Sequence, residues 1–572
     1  MRNPGHLLGA GLLSTVLLVG GTVPTLAYVQ KEKTVASSTS ATTPEVIAKI
    51  DQILSNAYPA NTPGAAVLVS KDGKVVFRKG YGLADVEKKV PIQPDMIFRL
   101  GSITKQFTAV GILKLVDQGK IALDDEITKF LPDYPTQGKK ITIEHLLTHT
   151  SGIKSYTGMA SFGSIMRKDV TPIELVDIFK NEPMDFEPGT QWRYNNSGYV
   201  LLGVIIEKVS GKSYAQFLQE TIFKPLGMKH TFYGTEEASI PNRALGHTGD
   251  GKEFSYSAPM SMTLPYAAGA LESNVDDLAI WNHAMASGKL LKPATWKRAF
   301  TPYTLSTGKP TTYGYGLEFE QLQGEEVIEH GGGINGFITM GYWLPKQKVF
   351  VAILTNQDSA EVQPSFVARK VAATMIGKGF KEYTAVTLDA KKLDEFVGVY
   401  LIEDKTTRTI TRQGNQLYAQ RTGGQKMEIF PASDNEFFYK SSFTVLKFVR
   451  DEAGKIVKMI KTDEKGEESA IKTDQPAPKE REVAKVDPAI YDAYVGEYEL
   501  VPGFMLTVTR DGDKLLTQAT GQQRLEIFPE SETEFFLKVV DAQLTFVKDA
   551  DGKVNQVILH QGGRNMPAKR IK

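Results

Sequence analysis

Two kinds of hydrophobic pattern divide the chain into unlike parts. Between residues 44 and 381, apolar positions recur at both helix and strand periods. Apolar runs at residues 65–70 and 74–79 flank Asp72-Gly73, a pair suited to a tight turn, so a hairpin is predicted there. Phe107, Val110 and Leu113 recur at helical spacing within residues 104–118, and Gly119 marks the stop. Residues 199–209 and 275–285 have similar helical spacing. Residues 336–344 and 349–354 flank Pro345-Lys346-Gln347-Lys348 as antiparallel strands. Strands at both ends with helices between them predict an α+β domain over residues 44–381, an antiparallel sheet flanked by helices.

From residue 386 the helical period disappears and short β-rich runs are broken by Gly, Asn and Asp. This tail repeats at an offset of 98 residues, which carries Val397-Gly398 onto Val495-Gly496. The same offset carries Glu428-Ile429-Phe430-Pro431 onto Glu526-Ile527-Phe528-Pro529, and Glu436-Phe437-Phe438 onto Glu534-Phe535-Phe536. Two copies are too few for a solenoid, so the tail is read as a duplicated, small all-β barrel-like domain at residues 386–472 and 484–572. A charged, proline-containing stretch, residues 462–485, is expected to bridge the copies.

The N-terminus has a third pattern. Arg2 is the one charged side chain among residues 1–30; an apolar run from Leu7 to Val23 follows, then Pro24-Thr25-Leu26-Ala27. This is the layout of a secretory signal peptide over residues 1–27, cleaved after Ala27 and followed by a Ser/Thr-rich linker at residues 28–43. The expected location is therefore periplasmic or extracellular. The alternative is an uncleaved anchor, since residues 7–29 lack charge.

Composition narrows the chemistry. Lys+Arg 67 against Asp+Glu 66 leaves a net charge of +1, which gives no electrostatic case for nucleic acid or an acidic membrane. The absence of cysteine excludes disulfides, thiolate zinc sites and a Cys nucleophile.

Three distant segments carry complementary reactive groups. Ser102-Ile103-Thr104-Lys105 opens the first long helix, and positions three apart share a helix face, so a hydroxyl lies beside an amine. Tyr194-Asn195-Asn196 follows the turn Glu187-Pro188-Gly189-Thr190; its phenol can relay a proton and its amide can bond a carbonyl. In His330-Gly331-Gly332-Gly333, glycines on a strand admit close approach of a ligand, and a backbone N–H there can complete an oxyanion hole with that of Ser102. Residues 331–336 also fit G-x-G-x-x-G, but strands follow instead of a helix, so the dinucleotide reading lacks its context.

In this order the segments resemble the serine β-lactamase and penicillin-binding protein superfamily, closest to the class C β-lactamase branch with its D-aminopeptidases, carboxypeptidases and esterases. The resemblance spans about residues 50–370. It includes Phe98-Arg99-Leu100-Gly101, the phrase Leu146-Leu147-Thr148-His149-Thr150-Ser151-Gly152, and Gly269 with Asp276-Asp277-Leu278. The D-aminopeptidase members also carry two C-terminal β domains.

The resemblance implies Ser102 as nucleophile, Lys105 as its activating partner and Tyr194 as the base and later acid. Asn196 becomes a substrate-amide contact, and His330, Gly332 and Gly333 line the substrate and oxyanion side, with Gly333 N–H pairing Ser102 N–H. No metal or organic cofactor is implied. Where β-lactamases usually have Lys-Thr-Gly, this chain has His330-Gly331-Gly332, and a histidine is only fractionally charged near pH 7. That substitution favours an exported peptidase or esterase acting through an acyl-enzyme on a small molecule, short peptide or ester. The alternatives are a β-lactamase and a non-catalytic penicillin- or peptidoglycan-binding protein. Nucleic acid is not an expected partner, and membrane contact would come only through an uncleaved leader. His145 and His149 have the i,i+4 spacing of a helical metal grip, but structural polar contacts are the expected use. Trp192, Tyr266, Tyr313 and Tyr315 are cleft-lining candidates whose ordinary role would be packing.

Overall fold

The structure is a computed structural model. It describes residues 42–571, apart from 160, 235–239, 250, 252, 360–361, 465, 477–480, 482, 502–503, 521, 523, 539 and 562–563. The expected signal peptide and nearly all of the linker lie outside the described residues. Thr43, assigned to that linker, instead caps the helix Pro44–Ala57 by accepting the Val46 N–H.

A six-stranded antiparallel sheet forms the middle of the first domain. Its strand order is Glu318–Leu322, Glu325–Ile334, Phe337–Leu344, Val349–Thr355, Ala65–Lys71 and Lys74–Tyr81. The predicted hairpin forms, with Asp72 and Gly73 both at positive φ as its two-residue turn requires. Pairing of Ala65 with Thr355 through Lys71 with Val349 joins the two ends of the domain in one sheet. Strand Val349–Thr355 is buried along its whole length because both faces are covered. Val351 and Ile353 face the helices Pro44–Ala57 and Pro364–Met375. Ala352 and Leu354 face the larger core around the helix Thr104–Asp117.

That helix matches its expected span and ends at Gln118-Gly119, with Gly119 at positive φ. It is not a surface helix: eleven of its fourteen residues are buried, Lys105 among them. The other two predicted helices run Asn196–Ser210 and Val275–Ala286.

Each tail copy is a closed, eight-stranded antiparallel barrel. The first barrel closes by pairing Tyr400 with Lys472, the second by pairing Tyr498 with Arg570. Their interiors superpose at the 98-residue offset: Leu417, Phe437 and Phe448 fill one, and Leu515, Phe535 and Phe546 the other. The bridging stretch is corrected. Its first residues complete the strand Ile456–Asp463, and Gly466–Lys472 is the strand that closes the first barrel. Only Ala470 is buried in that closing strand, so its charged sequence conceals a strand with most side chains toward solvent.

The first barrel docks on the first domain. Arg369 bonds Glu320 within its own domain and reaches both carboxylate oxygens of Glu464 at 2.7 and 2.8 Å. Phe443 stacks on Phe380 with ring centroids 3.6 Å apart. Among the described residues no helix is long and apolar enough to cross a membrane.

Candidate active site

Ser102 lies in a 3₁₀ turn, Gly101–Ile103, that runs directly into the helix Thr104–Asp117. In a 3₁₀ turn residues three apart nearly eclipse, which brings Ser102 and Lys105 together. Lys105 Nζ lies 3.0 Å from Ser102 Oγ. The turn requires glycine at 101, whose φ is +55° and whose added Cβ would lie 2.9 Å from the Gly333 nitrogen. The strand Glu325–Ile334 therefore crosses the nucleophile turn at backbone contact distance.

Gly332 makes that crossing possible. A Cβ there would fall 1.9 Å from the Leu100 carbonyl oxygen and 3.0 Å from the Ser102 nitrogen. Gly333 differs, because a Cβ would meet nothing within 4 Å, so it faces open space beside the turn. Of the two glycines expected on the substrate side, Gly332 is a close-packing glycine and Gly333 borders the opening.

Lys105 Nζ donates to the Asn196 side-chain oxygen and to the Ala268 carbonyl, each at 2.8 Å. The Asn196 amide nitrogen is in turn held by Thr157 Oγ1 at 3.0 Å, which fixes the oxygen toward Lys105. Asn196, expected to contact substrate, thus spends both ends of its amide on protein partners here. Burial drives the Lys105 pKa well below the usual lysine range, with the more distant Glu318 carboxylate opposing it. A neutral amine has two N–H donors and one lone pair. Nζ donates to Ser102 Oγ as well; on losing a proton it would keep its two donors on the acceptor-only oxygens of Asn196 and Ala268 and turn a lone pair to the Ser102 hydroxyl.

The Tyr194 ring lies beside this amine, with Nζ 4.7 Å from its centroid. Its hydroxyl is buried and faces Ser102 without a formed hydrogen bond. Burial raises its pKa, so the phenol keeps its proton at rest.

His330 requires a correction. It is buried, not partly charged near pH 7: desolvation and the nearby Lys105 lower its pKa to about 3. Its Nε2 pairs with the Tyr313 hydroxyl at 2.9 Å and its Nδ1 with the Gly331 carbonyl at 2.6 Å. Tyr313, Tyr266 and Tyr315 are buried, whereas Trp192 is 38% exposed. The i,i+4 histidine pair does not share a helix, because the helix ends at Leu147 and His149 follows at positive φ. His145 instead accepts the Thr142 N–H in a capping box. Among the described residues no three His, Asp or Glu side chains are placed to hold a metal.

Sequence reasoning missed four parts of this site: the Ala268 carbonyl, Thr157, Glu318 and the packing of Tyr313 on His330. Only tertiary contacts identify them, because a backbone carbonyl, a loop threonine and a strand glutamate have no sequence signature.

Residues 50–374 match the Beta-lactamase family, and residues 382–473 and 480–569 each match a domain of unknown function, DUF3471. The chain is 29% identical over 430 residues to Penicillin-binding protein 4* of Bacillus subtilis (strain 168), covering 71% of this chain and 94% of that one. It is 31% identical over 318 residues to a D-aminopeptidase of Gluconobacter oxydans (strain 621H), covering 53% of this chain and 58% of that protein. A solved octameric penicillin-binding protein homologue from Pyrococcus abyssi aligns with a TM-score of 0.53 at 28% identity, covering 74% of this chain and 99% of its own.

Proposed function

Because the chain belongs to the Beta-lactamase family, we propose that it is an exported serine hydrolase that cleaves an amide or ester bond through an acyl-enzyme on Ser102. Its substrate class would be a D-amino-acid peptide or a similar small substrate. The observation that carries this reading is the hydrogen-bond allocation of Lys105. Asn196 and Ala268 hold Lys105 Nζ at 2.8 Å each and set it 3.0 Å from Ser102 Oγ, within proton-transfer distance of the nucleophile.

In the proposed cycle Lys105 takes the Ser102 proton as Oγ bonds to the substrate carbonyl carbon. The Ser102 and Gly333 N–H groups then hold the oxyanion. Tyr194, protonated at rest, gives its proton to the leaving amine or alkoxide as the scissile bond breaks. Lys105 then returns its proton toward the phenolate, and the pair activates water to hydrolyse the Ser102 ester. The resemblance alone implies Tyr194 as first base; the buried phenol and depressed lysine favour Lys105 for that step.

A neutral His330 in the third motif supplies no cation for a substrate carboxylate, which weighs against a dedicated β-lactamase. The D-aminopeptidase relative supports D-aminoacyl substrates, and the leader-like pattern of residues 1–27 supports export. Purified protein screened against D- and L-aminoacyl amides, short esters and nitrocefin should turn over D-aminoacyl amides best. Ser102→Ala should abolish both turnover and labelling by a fluorophosphonate. Labelling that persists at another residue would overturn the nucleophile assignment, and a burst without steady turnover would indicate a ligand-trapping protein.

A further inference from the structure

His149 lies immediately behind Tyr194, and the reaction scheme gives it no task. It is 1% exposed. Its backbone carbonyl accepts the Arg193 N–H at 3.0 Å, and its ring Nδ1 accepts the Asn195 N–H at 3.1 Å. These two bonds flank Tyr194 in the chain, so one residue ties down the backbone at the residue before it and the residue after it. The imidazole also packs on the Tyr194 ring, centroids 4.4 Å apart, and on Tyr313 at 4.5 Å. Tyr313 in turn holds His330, so the contacts run from Tyr194 through His149 and Tyr313 to the third motif.

Two further facts separate this from ordinary packing. His149 has φ +60°, a backbone state that glycine or asparagine would occupy at lower cost. A strained position occupied by a histidine points to a requirement for its side chain. Acceptance of an N–H at Nδ1 also demands a neutral ring with its proton on Nε2. Burial, with Lys105 and His330 nearby, holds the His149 pKa well below the usual histidine range, so the acceptor persists.

We infer that His149 is the positioning residue for Tyr194, clamping the segment 193–195 so that the phenol stays aimed at Ser102. The inference rests on the role given to Tyr194 under the proposed function. Misplacing a reacting group by about 1 Å costs on the order of 10²-fold in rate.

The test measures turnover of a D-aminoacyl amide by the full chain, resolved into a maximal rate and a half-saturating concentration, because loss of the amine is the step that uses the Tyr194 proton. His149→Phe keeps an aromatic ring without the acceptor. It should lower the maximal rate by on the order of 10²-fold and move half-saturation by less than about threefold. His149→Asn, which restores an acceptor at the δ position, should recover most of that loss. If His149→Phe does not fold, His149→Gln, whose acceptor is displaced by one bond, takes its place with the same expectation.

The double variant His149→Phe/Tyr194→Phe should turn over the amide no more slowly than Tyr194→Phe alone, because the clamp acts only through the phenol. Multiplied losses, or a folded His149→Phe that turns over the amide at the parent rate, would overturn the inference. If Tyr194→Phe itself labels and turns over at the parent rate, the proposed role of Tyr194 fails first, and the clamp falls with it.

Discussion

Lys105 in the catalytic domain and Arg408 in the first barrel are both buried basic side chains, at 0% and 7% exposure, yet their surroundings differ in kind. Lys105 has no carboxylate at bonding distance; its amine is held by an amide oxygen and a carbonyl, and burial drives its pKa well below the usual lysine range. Arg408 cannot shed its proton, so burial forces pairing, and Glu468 lies 3.2 Å from its guanidinium with Arg421 sharing the same carboxylate. The second barrel shows what this pairing is worth to the fold. At the 98-residue offset Arg408, Arg421, Tyr439 and Glu468 become Leu506, Ala519, Leu537 and Met566, which join the second barrel's core. The same ladder therefore closes over either a charged or an apolar end. A buried base indicates chemistry where its environment lets it become neutral with a free lone pair, and indicates architecture where a carboxylate keeps it charged.

The sharpest way to break this comparison is Lys105→Arg. An arginine keeps a positive charge and cannot accept the Ser102 proton, so the labelling rate should fall by on the order of 10³-fold. A variant within tenfold of the parent would remove the lysine from the proton path.

The charged barrel end should respond differently. Arg408→Leu alone leaves Glu468 with only Arg421 and should cost about 1–3 kcal/mol in urea unfolding. Arg408→Leu combined with Glu468→Met imports the second barrel's pair and should restore stability to the parent level or above it. A double variant less stable than the single one would show that this ion pair is needed in the first barrel.

The third effect concerns a half-buried carboxylate on the active-site strand itself. Glu329 precedes His330 and pairs across the ladder with Glu318, and burial with Glu320 and Glu318 nearby raises its pKa to about 8. Its folded pKa stands above its unfolded value of 4.5, so the folded state holds the proton more tightly. Stability from this group is intact below about pH 4.5 and is lost as pH rises toward 8. Glu329→Gln should flatten that decline in the melting temperature between pH 5 and 8; an unchanged slope would assign it to other groups.

Much of this molecule was legible in the chain. The Asp72-Gly73 hairpin, the Thr104–Asp117 helix, the duplicated tail and the proximity of Ser102 to Lys105 follow from short-range patterns. Local spacing governs such features because turns, helix faces and strand alternation are properties of a few consecutive residues. The closing strand Gly466–Lys472 escaped notice because a strand at a barrel surface with one buried residue carries almost no hydrophobic period.

The ionisation states belong to the tertiary structure. Sequence supplies a lysine, a tyrosine and two histidines, and left to water each would titrate near its ordinary value. Packing buries Lys105 among Ser102, Asn196 and Ala268, pairs His330 with Tyr313 and sets His149 across the Tyr194 segment. Desolvation and long-range hydrogen bonds join residues such as Lys105 and Ala268, which stand far apart in the chain. The sequence by itself determined which reactive groups are present and which local elements hold them. The tertiary structure alone decided in which direction each of those groups departs from its ordinary pKa, because a pKa is set by the dielectric and partners around a side chain and not by its neighbours in the chain.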